Sequence, residues 1–117
     1  MSPRAQNPTP LHSSAGVVLV GRLGSRVAVR ELPSGDVVTV FTIVVDRSPA
    51  PAGPASTVKV DAIACQAFRA GVVNRLDRLE PGQWVRAEGT LRRRFWRAGA
   101  GLGSAMEVEV SRLQAAS

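Results

Sequence analysis

The chain has 117 residues, room for one compact domain and too few for two. Its 44% hydrophobic and 21% charged residues describe a globular chain rather than a disordered one, and no apolar run approaches the roughly 20 residues of a membrane helix. A lone cysteine, Cys65, excludes an internal disulfide framework and a cysteine-rich zinc site, while fifteen basic against nine acidic residues leave +6, which favours a polyanionic partner.

Residues 1–14 carry Pro3, Pro8 and Pro10 among polar residues with no periodic apolar positions, and read as a flexible arm. They lack the apolar stretch of about 7–15 residues that a secretory signal needs. An unpaired Cys65 suits a reducing compartment, so cytoplasmic residence is expected. Val17-Val18-Leu19-Val20 opens a first strand, broken by a bend or bulge at Gly21 and Gly24. That strand resumes at Val27 and stops at Pro33-Ser34-Gly35-Asp36, a turn. Residues 37–45 form the plainest strand, β-branched throughout with Phe41 at its middle. Pro49, Pro51, Gly53 and Pro54 make 48–56 a mobile loop.

A third strand is predicted over 57–67, with Val58, Val60 and Ala62 alternating against Thr57, Lys59 and Asp61. The period then changes. Over 70–79, Val72, Val73, Leu76 and Leu79 recur at helical spacing with Arg75 and Arg78 on the opposite face, and Glu80-Pro81-Gly82 ends the helix. A long fourth strand covers 84–97. Gly99, Gly101 and Gly103 make 98–103 a flexible hairpin tip, and a fifth strand over 105–113 alternates Val108 and Val110 with Glu107 and Glu109. Residues 114–117 are a stub. One short helix between strands 3 and 4 of five is the order of an all-β OB-fold, a five-stranded Greek-key barrel occupying 15–113.

Catalytic groups do not converge. His12, the only histidine, lies in the arm, the carboxylates are scattered, and Cys65 reads as a small buried apolar residue. Neither metal-ligand spacing nor a phosphate-cradling glycine loop is present, so no enzymatic activity, cofactor or metal is expected. Binding chemistry collects in the fourth strand. Alternation sends Val85, Ala87, Gly89 and Leu91 to one face, suited to a barrel interior, with Phe95 on the same parity. Arg86, Glu88, Thr90, Arg92, Arg94 and Trp96 take the other. A flat indole following alternate guanidinium groups offers a base-stacking surface beside phosphate-pairing charges.

The ordered set Val17-Val18-Leu19-Val20-Gly21-Arg22-Leu23, Arg30-Glu31-Leu32-Pro33-Ser34-Gly35 with Val40-Phe41-Thr42-Ile43, and Pro81-Gly82-Gln83-Trp84-Val85-Arg86-Ala87-Glu88-Gly89-Thr90-Leu91-Arg92 resembles the bacterial single-stranded DNA-binding protein family. The resemblance covers about residues 15–113. It implies an OB-fold that binds single strands largely without sequence preference and assembles as a homotetramer, with a homodimer second. It also implies roles in replication, recombination and repair at the nucleoid. Phe68 and Trp96 match stacking positions of that family. Two further tryptophan positions fall near Asp46–Arg47 and at Ala62, where nothing aromatic stands. The expected contact surface for single-stranded DNA is Trp96, Phe68, Arg92, Arg94 and Arg86, with Trp84 and Lys59; these residues read phosphates and base faces alike, so they do not exclude RNA. The family's acidic terminal tip has no counterpart in Leu113-Gln114-Ala115-Ala116-Ser117, so recruitment of replication proteins by that route is not expected. The short form is also similar to primosomal replication proteins, and the rival reading is a protein-interaction module acting in replication restart.

Overall fold

The computed structural model describes residues 15–47 and 59–116. The arm 1–14, the loop 48–56 and the first residues of the expected third strand lie outside the described residues. The elements are β1 (Gly16–Glu31), β2 (Val37–Asp46), β3 (Val60–Ala67), α1 (Ala70–Asp77), β4 (Trp84–Ala98) and β5 (Gly101–Ala115). The strands close into a barrel in the order β1-β2-β3-β5-β4, with β4 returning to β1. Every ladder is antiparallel except β3–β5, where Cys65 and Gln66 pair in parallel with Val108 and Glu109. This is the OB-fold order read from the sequence, with the helix between β3 and β4.

β1 serves two neighbours in turn. Gly16–Arg22 pairs with β4, whereas the pairing with β2 begins at Arg22 and shifts register between Leu23 and Val27. An irregularity of that kind bends a strand and tightens its twist, which closes a small barrel. Gly21 sits at this corner with its α-carbon against the Val44 carbonyl, so close that a β-carbon would overlap the backbone. Leu23, Phe41, Ile43, Cys65, Val85, Ala87, Val108 and Val110 fill the interior, and α1 adds Val72 and Leu76 to the same cluster. The loop before β4 is pinned to β1, since Leu23 N–H donates to the Gln83 carbonyl and Gly82 N–H to the Leu23 carbonyl.

Four expectations are corrected. In β3 the inward row is Ile63, Cys65 and Ala67, while Val60 and Ala62 face solvent. The pairing of Ile43 with Ile63 and Phe41 with Cys65 fixes that orientation, and aliphatic content alone misassigned it. The flexible tip over 98–103 shrinks to Gly99 and Ala100, because β5 begins at Gly101 and pairs with β4 from Ala98 onward. β5 also runs past the expected boundary at 113 to Ala115, and Ala116 N–H donates to the Trp84 carbonyl. Finally, Phe95 does not continue the interior row. It is 62% exposed and Leu102 73% exposed, since the β4–β5 ribbon extends beyond the barrel wall.

Candidate nucleic-acid interface

The two-residue turn at Gly99–Ala100 decides what the ribbon presents. It sets Trp96 opposite Gly103, Arg94 opposite Ala105 and Arg92 opposite Glu107. Gly103 supplies the space in which the indole lies, because a β-carbon there would collide with the Trp96 ring. The Arg94 guanidinium carbon stands 4.5 Å from the ring centroid, and Trp96 keeps 39% of its surface exposed. Arg94 Nε donates to Glu107 Oε2 at 3.1 Å, and Arg92 Nε to Glu109 Oε1 at 3.1 Å. Both contacts run diagonally between strands, as long side chains on a twisted ribbon reach the next partner along.

Glu107 is the centre of this surface, with only 5% of it exposed. From β1, Arg30 donates Nη1 to Glu107 Oε2 and Nη2 to Glu107 Oε1, both at 3.2 Å, and Nη2 also reaches Gln66 Oε1 at 3.0 Å. One carboxylate therefore holds two guanidinium groups, leaving the trio with a net positive charge. Burial pushes the Glu107 carboxyl towards neutrality, but hydrogen bonds and charge from Arg30 and Arg94 outweigh it and hold the pKa below the ordinary range. Beside this trio, Ala28, Val40, Thr42 and Ala64 line a recess of about 270 Å³ on the outer face of β1, β2 and β3. Cys65 lies behind it, its thiol pushed up to about 12 by burial and by the charge of Glu107, so it is inert at neutral pH. Neither Arg30 nor Glu107 was singled out in the sequence. Their signal lay in register: once the turn is two residues long, Arg92 and Arg94 necessarily face the acidic row of β5.

The remaining expected residues are spread around the barrel. Phe68, 42% exposed, follows the end of β3, and Lys59 stands exposed at its start, its carbonyl accepting from Arg47 N–H. Trp84 lies opposite Arg22, whose guanidinium carbon is 5.6 Å from the ring centroid and which pairs with Asp46 at 3.6 Å. Arg86 faces Val20 of β1 and is ion-paired with Glu88. Thus Arg92, Arg94 and Trp96 share the ribbon beyond the β1 ladder, whereas Trp84 and Arg86, on the same parity of β4, sit against β1.

Residues 15–116 match the model of the single-strand binding protein family. The chain belongs to that family. Its fold is similar to that of a Plasmodium falciparum single-strand binding protein solved in complex with single-stranded DNA, with a TM-score of 0.72 and 21% identity over 91% of this chain and 97% of that one. It is also similar to the mitochondrial single-stranded DNA-binding protein of S. cerevisiae, with a TM-score of 0.67 and 14% identity over 89% and 96% of the two chains. No curated protein matches it in sequence. As a single-strand binding protein, the chain carries two indoles, Trp84 and Trp96. Ala62 is exposed without an aromatic ring, and Asp46 and Arg47 are engaged with Arg22 and Asp61. Ring and guanidinium meet at two places among the described residues, Trp84 with Arg22 at 5.6 Å and Trp96 with Arg94 at 4.5 Å, and of these the second lies on the ribbon.

Proposed function

We propose that this chain binds single-stranded DNA along the β4–β5 ribbon, without catalysis and without sequence preference. Trp96 and Phe68 stack on bases, Arg92, Arg94, Arg86 and Lys59 meet phosphates, and Trp84 contributes from the β1 side. One observation carries the reading: an outward indole seated over Gly103 with the Arg94 guanidinium against its ring. Every base has a π-face and every nucleotide a phosphate, so such a surface grips single strands regardless of sequence. Arg92 and Arg94 hold carboxylates in the free protein, and an incoming phosphate exchanges with Glu109 or Glu107 for them. Protection of single strands in replication, recombination and repair follows, in the cytoplasm at the nucleoid. Among the described residues no helix is long and apolar enough to cross a membrane.

Self-association belongs to this reading, as a homotetramer before a homodimer. Among the described residues Gly16–Gly21 pairs with β4 along one edge only, and Val18 and Val20 on this segment are 56% and 49% exposed. An apolar segment with an unpaired backbone edge is a template for a second copy. The rival, a protein-interaction module, is separated by titrating labelled oligo-dT and following polarisation. Binding at low salt that falls steeply as salt rises is the expected result, since phosphate contacts release counterions. Absent polarisation change at low salt would favour the module.

A further inference from the structure

A second recess, of about 370 Å³, lies where the first turns of α1 meet the last residues of β5. Arg69 and Arg75 reach it from the helix side and Arg112 from β5, with Ser111 and Gln114 as neutral polar lining and no acidic residue. Its arginines differ from Arg92 and Arg94 of the ribbon. Arg22, Arg30, Arg47, Arg86, Arg92 and Arg94 each hold a carboxylate, whereas Arg69, Arg75 and Arg112 hold none among the described residues. Glu88 is registered opposite Arg112 and its carboxylate feels that charge, but its ion pair and hydrogen bond are with Arg86. The first turn of α1 has no acidic residue and its N-cap makes no side-chain hydrogen bond, so helix polarity adds to the same positive field. Three arginines lining one cleft with no acidic residue among its walls make it electropositive, and an anion between them would lower their mutual repulsion.

The neighbouring residue identifies the anion. Phe68, exposed, is joined directly to Arg69, so a base stacked on that ring brings its own phosphodiester to the mouth of the cleft. Forked guanidinium donors suit phosphate oxygens, and three of them suit successive phosphates better than one carboxylate. We propose that this cleft is a second anchoring site for the single strand, taking backbone phosphates next to Phe68 and lengthening the path that begins on the ribbon. The proposal rests on the single-strand reading above. Arg112 lies nine residues beyond Gly103 along β5, about 30 Å of strand, so a short oligomer held at Trp96 does not reach it.

The test compares oligo-dT of about 4 and about 16 nucleotides, the limits of site size for one OB-fold. Wild type, Arg75→Gln/Arg112→Gln and the charge-retaining Arg75→Lys/Arg112→Lys would be titrated across a salt series, with melting curves to establish folding. The glutamine variant should bind the short oligomer like wild type but the long one about tenfold more weakly. Its log–log salt slope on the long oligomer should shrink by about 1.4, about 0.7 for each guanidinium removed. The lysine variant should recover most of both. Unchanged affinity and slope on the long oligomer would overturn the cleft as an anchor, and so would equal losses at both lengths. Arginine-dependent binding of hexaglutamate, with long-oligomer affinity intact, would assign the cleft to an acidic protein segment and overturn the proposal. A wild type that binds neither length would instead refute the single-strand reading itself.

Discussion

Trp96 owes its position to an absence, the missing side chain at Gly103, and its electronic surroundings to Arg94. Because the ring is exposed and outside the buried cluster, replacing it should separate binding from folding. Trp96→Ala is expected to weaken oligo-dT binding by about 1–3 kcal/mol while leaving the melting temperature close to wild type. A collapse of stability instead would mean that the indole supports the barrel. Glu107 makes the opposite prediction. It is buried between two guanidinium groups that lose their partner when it is neutralised, so Glu107→Gln should cost about 3 kcal/mol, the lower end for a broken buried pair because both arginines retain some water. The sign with pH follows from its depressed pKa. The contribution is complete above the unfolded value of about 4.3 and is lost as pH falls through the lower folded value. Thermal melts should therefore show wild type losing stability below about pH 4 and Glu107→Gln losing less over the same range. Asp61 and Glu88 are also held low, by Arg47 and Arg86, but these exposed pairs add little.

Among the elements, the β4–β5 ribbon is the proposed binding surface, and its geometry is a consequence of turn length. A side chain at Gly103 must displace the indole, so Gly103→Val should shift the Trp96 emission maximum and weaken oligo-dT binding without touching a charged residue. Unchanged emission and affinity would show that the ring does not depend on that seat. The same ribbon marks the limit of what the sequence discloses. The strands, the single helix and their order were legible because β-branched runs, a 3.6-residue stripe and Pro-Gly punctuation are local signals. Alternation in β4 placed Arg92, Arg94 and Trp96 on one side correctly, as their shared ladder shows. Register is not local. Three glycines within 99–103 looked like a loose tip, yet two of them, Gly101 and Gly103, are paired strand residues. With the turn misplaced, the pairing of Arg94 with Glu107, and hence the buried trio with Arg30, could not be read. In β3 a row of small residues gave alternation too little contrast, and long-range pairing with β2 decided which side faces inward.

For the molecule as a whole, +6 of net charge is distributed unevenly in effect. Carboxylates neutralise the arginines of the ribbon in part, whereas the arginines of the cleft beside α1 have no ion-pair partner among the described residues. Binding is accordingly expected to combine stacking with steep salt dependence. The half-paired first strand predicts assembly: mass measurement in solution should give a multiple of the 12.3 kDa chain, and Val18→Glu with Val20→Glu should reduce it. A monomeric wild type would remove self-association from the account. The most direct test of the ribbon follows Trp96 alone, in a Trp84→Phe variant that leaves it the sole indole, while oligo-dT is added at low salt. The account predicts quenching of that single tryptophan in step with oligomer bound, reversed as salt is raised. Binding detected by polarisation with the Trp96 emission unmoved would contradict it.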